Sequence, residues 1–342
     1  MNWGIALGGL GVGFVVGLTG MGGGALMTPM LVLLFGINPS VAVSSDLVAS
    51  LVMKPVGSAV HLRHGTVNRP LVKWLVLGSV PSAFLVVALT SAFLKGQQLD
   101  DMLQTALGIA LLLAAAGLVA KGAFRGRTGA LGVPATITVR PLPTLAIGIF
   151  GGVVVGLTSV GSGSLMMVLL LVLYPALTSA QLVGTDLVQA TPLVASAALA
   201  HMLFGHVEFA LTGTVLIGAL PGVYFGARVS SRAPDAIIRP ALALVLFSSS
   251  VKLLGASNGI LGIVLVASAI AYGVMVVRYV RHARAERSAG GVDEMGGGHR
   301  EVVEHAPLEL GIEPGLAHGG GHVAEPRIAF GFTDGEGDVP HA

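Results

Sequence analysis

Asp46, Asp186, His61, His201 and Lys54 sit inside long apolar runs of a chain in which only 11% of residues are charged. Ionisable side chains in such runs are costly to bury and usually serve transport or proton transfer. Four of the five come in pairs: Asp46-Leu47-Val48 matches Asp186-Leu187-Val188, and His61 matches His201, each 140 residues further on. A carboxylate one to two turns into an apolar helix suits a proton carrier, and it suits equally a cap for backbone N–H groups left open by a neighbouring segment. His61 and His201, at the ends of their runs, suit a proton relay near neutral pH or simple helix-end anchoring. Lys54 has no counterpart, since Val194 stands opposite it. An ammonium in mid-run needs a compensating charge, which a bound anion, water or Asp186 would supply.

A second pattern is duplicated with these residues. Gly17-Leu18-Thr19-Gly20-Met21-Gly22-Gly23-Gly24 returns as Gly156-Leu157-Thr158-Ser159-Val160-Gly161-Ser162-Gly163, followed by Ser164. At the tip of a hairpin, glycines let two backbones approach and leave the N–H groups that open the second arm unshielded. Held at mid-membrane, the positive end of a half-helix favours an anion. Gly22, Gly23 and Gly24, with Gly161, Ser162, Gly163 and Ser164 facing them, are therefore the expected substrate-binding residues, with Lys54 attracting the substrate's charge. The competing reading is that small residues here only allow close helix packing.

The elements that must position these groups are membrane helices. Hydrophobic residues make up 54% of the chain and mean hydropathy is +0.85, too apolar for an ordinary soluble domain. Residues 1–282 carry a balance of +9 and residues 283–342 a balance of −7, so the basic groups belong to membrane-flanking loops and nucleic acid is not a partner. Cysteine is absent, which excludes disulfides and thiolate metal sites. No basic n-region precedes the first apolar run, so no removable signal peptide is expected. Seven runs of about 20 residues suit full spans: 40–62, 70–94, 102–121, 179–202, 209–228, 236–254 and 258–280. Two further runs, 3–35 and 143–175, are broken by the glycine motif into arms of roughly 13–17 residues, shorter than a bilayer core of about 30 Å. Arg63, Arg69 and Lys73, then Lys121, Arg125, Arg127 and Arg140, then Arg228, Arg232 and Arg239 place alternate loops in the cytoplasm. Both broken runs must then be hairpins that enter and leave on one side.

The expected fold is an all-α polytopic membrane protein of two inverted repeats, each a broken-helix hairpin plus three transmembrane helices, with one extra C-terminal transmembrane helix. The first repeat occupies 1–122, a cytoplasmic loop 123–141, the second repeat 142–256 and the extra helix 257–281. Residues 282–342 form an acidic tail rich in His and Gly whose composition predicts a disordered cytoplasmic segment. The N-terminus is expected outside and the C-terminus inside, in a cell membrane that for a bacterium is the inner one.

Gly20-Met21-Gly22-Gly23-Gly24 with Pro29, Ser44-Ser45-Asp46 and His61-Leu62-Arg63-His64-Gly65 in the first half carry a family resemblance. Val160-Gly161-Ser162-Gly163-Ser164, Gly184-Thr185-Asp186 and His201 to Gly205 carry it in the second half. Over about 5–255 the chain resembles the TauE/SafE family of sulfite and organosulfonate exporters. The second half departs from the pattern, with serines breaking the glycine cluster and Val168 where the first copy has Pro29. The resemblance implies a permease for small sulfur-containing or carboxylate anions with no cofactor; the inverted repeats suit alternating access, with a proton or ion as the expected coupling partner. Two other functions fit single features. An intramembrane serine hydrolase would use Ser162 as nucleophile and His201 as base. A metal-ion transporter would assemble Asp46, Asp186, His61 and His201. Oligomeric state is not legible in the sequence.

Overall fold

The computed structural model describes residues 3–19, 23–124, 137–161, 163, 165–230, 235–270 and 272–273. Gly22, Ser162 and Ser164, most of the 123–141 loop, the end of the last expected span and the acidic tail lie outside the described residues. All regular structure in the described part is helical. The elements are α1 (Trp3–Thr19), α2 (Gly24–Phe35), α3 (Pro39–Arg63), α4 (Arg69–Phe93), α5 (Gln97–Phe124), α6 (Pro141–Thr158), α7 (Leu165–Leu173), α8 (Ser179–Phe204), α9 (Phe209–Ser230) and α10 (Asp235–Leu253). A shorter apolar helix, α11 (Asn258–Ile270), follows.

Local chemistry sets several ends. Asn68 caps α4 by accepting the Leu71 N–H, with Pro70 in the first turn where its missing N–H costs nothing. Thr178 and Gln181 form a reciprocal capping box at the start of α8. α2 stops at Gly36, whose left-handed φ of 63° turns its N–H back to the Leu31 carbonyl.

Five helices are long and apolar enough to cross a membrane: Arg69–Phe93, Gln97–Ala120, Pro141–Thr158, Ala180–Phe204 and Phe209–Val229. The chain is thus a multi-pass, all-α membrane protein. Two differences from the expected spans have physical causes. α3 runs for 25 residues yet is not among the five, because it carries Ser44, Ser45, Asp46, Ser50, Lys54 and Ser58, all buried against protein rather than lipid. α6, expected as a short hairpin arm, is 18 residues long and apolar enough to cross by itself.

Packing interlocks the two halves. α1 lies along α9 and α6 lies along α4, so the first arm of each broken run packs on a helix of the other half, while α3 meets α8 and α5 meets α10. Glycine makes the first two contacts possible. A Cβ on Gly13 or Gly17 would stand 2.4 or 2.3 Å from the carbonyl oxygens of Ala219 or Val223, and one on Gly222 or Gly226 would stand 2.3 or 2.0 Å from those of Leu10 or Phe14. Backbones in contact along a four-residue glycine spacing are the membrane solution to helix association where lipid gives no hydrophobic drive. The α4–α6 pair repeats the device, with a Cβ on Gly78 at 2.5 Å from the Leu145 oxygen and one on Gly148 at 2.6 Å from the Leu75 oxygen.

Candidate functional site

α3 and α8 carry the buried polar side chains to the middle of the molecule, and the ends of the broken helices close on them. Asp46, 1% exposed, accepts a 2.8 Å hydrogen bond at Oδ2 from the Thr28 hydroxyl of α2. Its Oδ1 faces the start of α2, for a Cβ on Gly23 would lie 3.8 Å from that oxygen. Gly24 touches the other broken run: its missing Cβ would fall 2.0 Å from the Ser159 carbonyl oxygen and 3.0 Å from the Ser159 hydroxyl. The start of α2 and the end of α6 therefore meet beside Asp46.

Each partner in this junction has an open valence. α2 begins with no side-chain cap, so N–H groups of its first turn point out of the helix without one. Ser159 closes α6 in the left-handed region at φ 58°, the one non-glycine residue with positive φ among those described. It is 4% exposed, and its hydroxyl approaches the Asp46 carboxylate, with no other hydrogen-bond partner among the described residues. Ser45, on the same turn of α3 as Asp46, has a buried hydroxyl with no hydrogen-bond partner among the described residues. A buried hydroxyl left unmatched costs about 1–3 kcal/mol, so such atoms are few in a stable fold.

Lys54 is 7% exposed and lies within electrostatic range of two carboxylates, Asp186 and Asp46. Asp186 in turn takes a long 3.4 Å bond from Gln189 Nε2, while Gln189 Oε1 faces the Ser79 hydroxyl at 3.4 Å. Ser58 ties α3 to α8 through the Leu187 carbonyl at 2.8 Å and the Thr191 hydroxyl at 2.7 Å. The expected residues Asp46, Asp186 and Lys54 are thereby brought into one charge cluster, with Gly23 and Gly24 at its edge.

The two histidines stand apart from that cluster and from each other in environment. His201 is 5% exposed and spends both ring nitrogens: Nε2 lies 2.8 Å from the Gly156 carbonyl and Nδ1 lies 2.8 Å from the Ser44 hydroxyl. A carbonyl only accepts, so Nε2 carries a hydrogen. The ring thus bridges α8, α6 and α3, and the neighbouring space amounts to only about 10 Å³. His61 is half-buried and bonds locally, Nδ1 to the Thr66 hydroxyl at 2.9 Å. Both ring nitrogens of His201 are thus engaged, and the serine hydroxyl among its partners is that of Ser44. No three His, Asp or Glu side chains gather into a metal-holding group among the described residues.

Thr28, Ser159, Ser44 and the Gly156 carbonyl were not among the residues expected from sequence. One signal was available: Ser159 stands where the first copy has Gly20, at a chain reversal where a non-glycine residue needs a reason.

An all-helical membrane protein with acidic, basic and hydroxyl side chains sealed between broken helices has the build of a transporter. Residues 5–253 match the sulfite exporter TauE/SafE family, and the chain belongs to that family, one of membrane transporters rather than enzymes. It is 38% identical over 260 residues to the probable membrane transporter protein YjnA of Bacillus subtilis, covering 74% of this chain and all of the relative. It is 25% identical over 235 residues to the probable membrane transporter protein YdhB of the same organism, covering 68% of this chain and 92% of the relative. No solved structure matches it.

Proposed function

We propose that this protein is a secondary transporter of small sulfur-containing or carboxylate anions such as sulfite or an organosulfonate. It works by alternating access between two inverted repeats, with the N-terminus outside and the C-terminus in the cytoplasm. The substrate sits at the hairpin tips, held by backbone N–H groups of Gly22, Gly23 and Gly24 and by Gly161, Ser162, Gly163 and Ser164 of the second tip. Lys54 supplies the counter-charge, exchanging Asp186 for the substrate, and Asp46, Asp186, His61 and His201 handle protons or hold the helices.

The observation that carries this reading is the junction of Gly24 with Ser159 beside Asp46, where an uncapped helix start faces the polar core. A half-helix N-terminus away from water screening stabilises negative charge. The experiment is a proteoliposome panel of sulfite, sulfoacetate, taurine and acetate, each with and without a pH gradient. Saturable flux of a sulfur anion or carboxylate is expected. Flux of none of them above protein-free vesicles would overturn the proposal.

A further inference from the structure

The buried acidic and basic side chains described in the core are Asp46, Lys54 and Asp186, with His201 nearby. Residues 20–22, 162 and 164 are glycine, methionine and serine, so the two glycine-rich breaks add no charge. Two carboxylates share one ammonium, so with both ionised one negative charge is left over. Asp46 is left facing the start of α2 with the Thr28 hydroxyl on Oδ2 and, close by, the Ser159 hydroxyl, which has no other partner among the described residues. An ionised Asp46 would itself satisfy the α2 N-terminus and so compete with any substrate anion for it. Both problems have one solution.

We infer that Asp46, Thr28 and Ser159 form a site for a monovalent coupling cation, a sodium ion or a proton, whose occupancy neutralises Asp46 and frees the start of α2 for the anion. Every donor is an oxygen, the chemistry both cations seek. The end of α6 adds the negative pole of its helix dipole at Ser159, as half-helix C-termini do at transporter cation sites. Other titratable groups around Asp46 are accounted for. α2 and α6 contribute none; α3 contributes Lys54; α8 contributes Asp186 and His201, the latter spent on Ser44 and Gly156. Asp100 of α5 is engaged at the start of α3, accepting the Ser40 N–H. The inference deepens the transport reading and rests on it for the reason a cation should bind here.

The test uses purified full-length protein in detergent with no substrate anion, and follows thermal unfolding in sodium chloride against choline chloride across a range of pH. A ligand that binds only the native state raises Tm with its concentration. In the sodium case wild type gains several degrees on replacing choline by sodium at alkaline pH. In the proton case it gains them on acidification in choline alone. Either gain should vanish in Asp46→Asn, which carries a permanent neutral side chain, and shrink in Ser159→Gly, which removes the hydroxyl while relaxing the left-handed backbone. Thr28→Val gives the same reading if Asp46→Asn fails to fold. Identical responses in wild type and variants, or no response to either cation, overturn the site. Anion flux in vesicles combined with cation-independent unfolding would sink this inference alone, whereas a cation response without flux would sink the proposed substrate class alone.

Discussion

One methyl group at Gly24 and one at its neighbour Gly23 should have opposite effects. At Gly24 the new Cβ would stand 2.0 Å from the Ser159 carbonyl oxygen and 2.8 Å from its carbon. To reach an ordinary contact of 3.4 Å the two tips must part by about 1.4 Å along that line. The obstacle is backbone, so no rotamer change relieves it, and overpacking of this kind costs about 1–3 kcal/mol. At Gly23 the nearest atoms, Asp46 Oδ1 and Met53 Cε, lie 3.8 Å from the new Cβ, and φ is −69°, which any residue adopts. Gly23→Ala should therefore fold as well as wild type or gain about 0.4–1 kcal/mol through lost freedom of the unfolded chain. The gap between the variants is then about 1.5–4 kcal/mol, several degrees in Tm. Thermal unfolding of the two purified proteins reads the gap directly. Vesicle flux adds a second reading: Gly24→Ala, by separating the tips, should lose transport even where it remains folded. Equal Tm values, or a Gly24→Ala protein that transports normally, would refute the claim that the two tips meet here.

His201→Phe removes two buried hydrogen bonds that join three helices and should cost about 1–3 kcal/mol per group left unmatched, whereas His61→Phe, which loses one local bond, should cost less; unfolding of both variants compares them. Lys54→Met leaves Asp186 with a buried uncompensated charge, so it should destabilise the protein, and adding Asp186→Asn should restore part of the loss. A double-mutant cycle should show coupling of about 0.5–3 kcal/mol, and additive losses would mean the two charges do not interact. The proposed topology places the α3–α4 loop in the cytoplasm and the α8–α9 loop outside. In this cysteine-free chain an impermeant maleimide applied to intact cells should label His206→Cys and spare His64→Cys.

Asp46, Asp186 and Lys54 were legible in the sequence because a charge inside an apolar run has few reasons to be there. The interruption of the apolar runs 3–35 and 143–175 was legible for a similar reason, since glycine-rich breaks have no place in a continuous span. α3 runs over Pro39–Arg63, beside the expected span 40–62, yet its composition falls short of a span because composition records side chains and not what surrounds them: Ser44 and Ser58 meet α8 and Asp46 meets α2. What could not be read is which helices touch. The Ser44–His201 bond joins residues 157 positions apart, and the contact of Gly24 with Ser159 depends on α1 crossing to α9 and α6 crossing to α4. No local pattern encodes that exchange, although the four-residue glycine spacings on both members of the α1–α9 pair mark the faces that accomplish it.

The matched positions also show where the two halves have ceased to be equivalent. Ser44 of the first half corresponds to Gly184 of the second, and Ser44 is the hydroxyl that holds His201 from across the molecule. At Gly184 a Cβ would fall 3.2 Å from His61 Nδ1 and 2.6 Å from the Thr66 hydroxyl. The space a serine would need is therefore occupied by Thr66, which satisfies His61 from within its own helix end. One histidine ties three helices and the other ties its own chain. Near His61 a link between the halves remains, the Asn68 N–H to the Thr185 hydroxyl at 3.1 Å, and a hydroxyl bond to a neutral N–H is weaker than a pair of bonds at a buried ring. On the proposed topology His201 lies at the outer end and His61 at the inner. Parting α8 from α3 and α6 at that outer end would break both His201 bonds, whereas parting the halves at the inner end would leave the local His61–Thr66 bond in place.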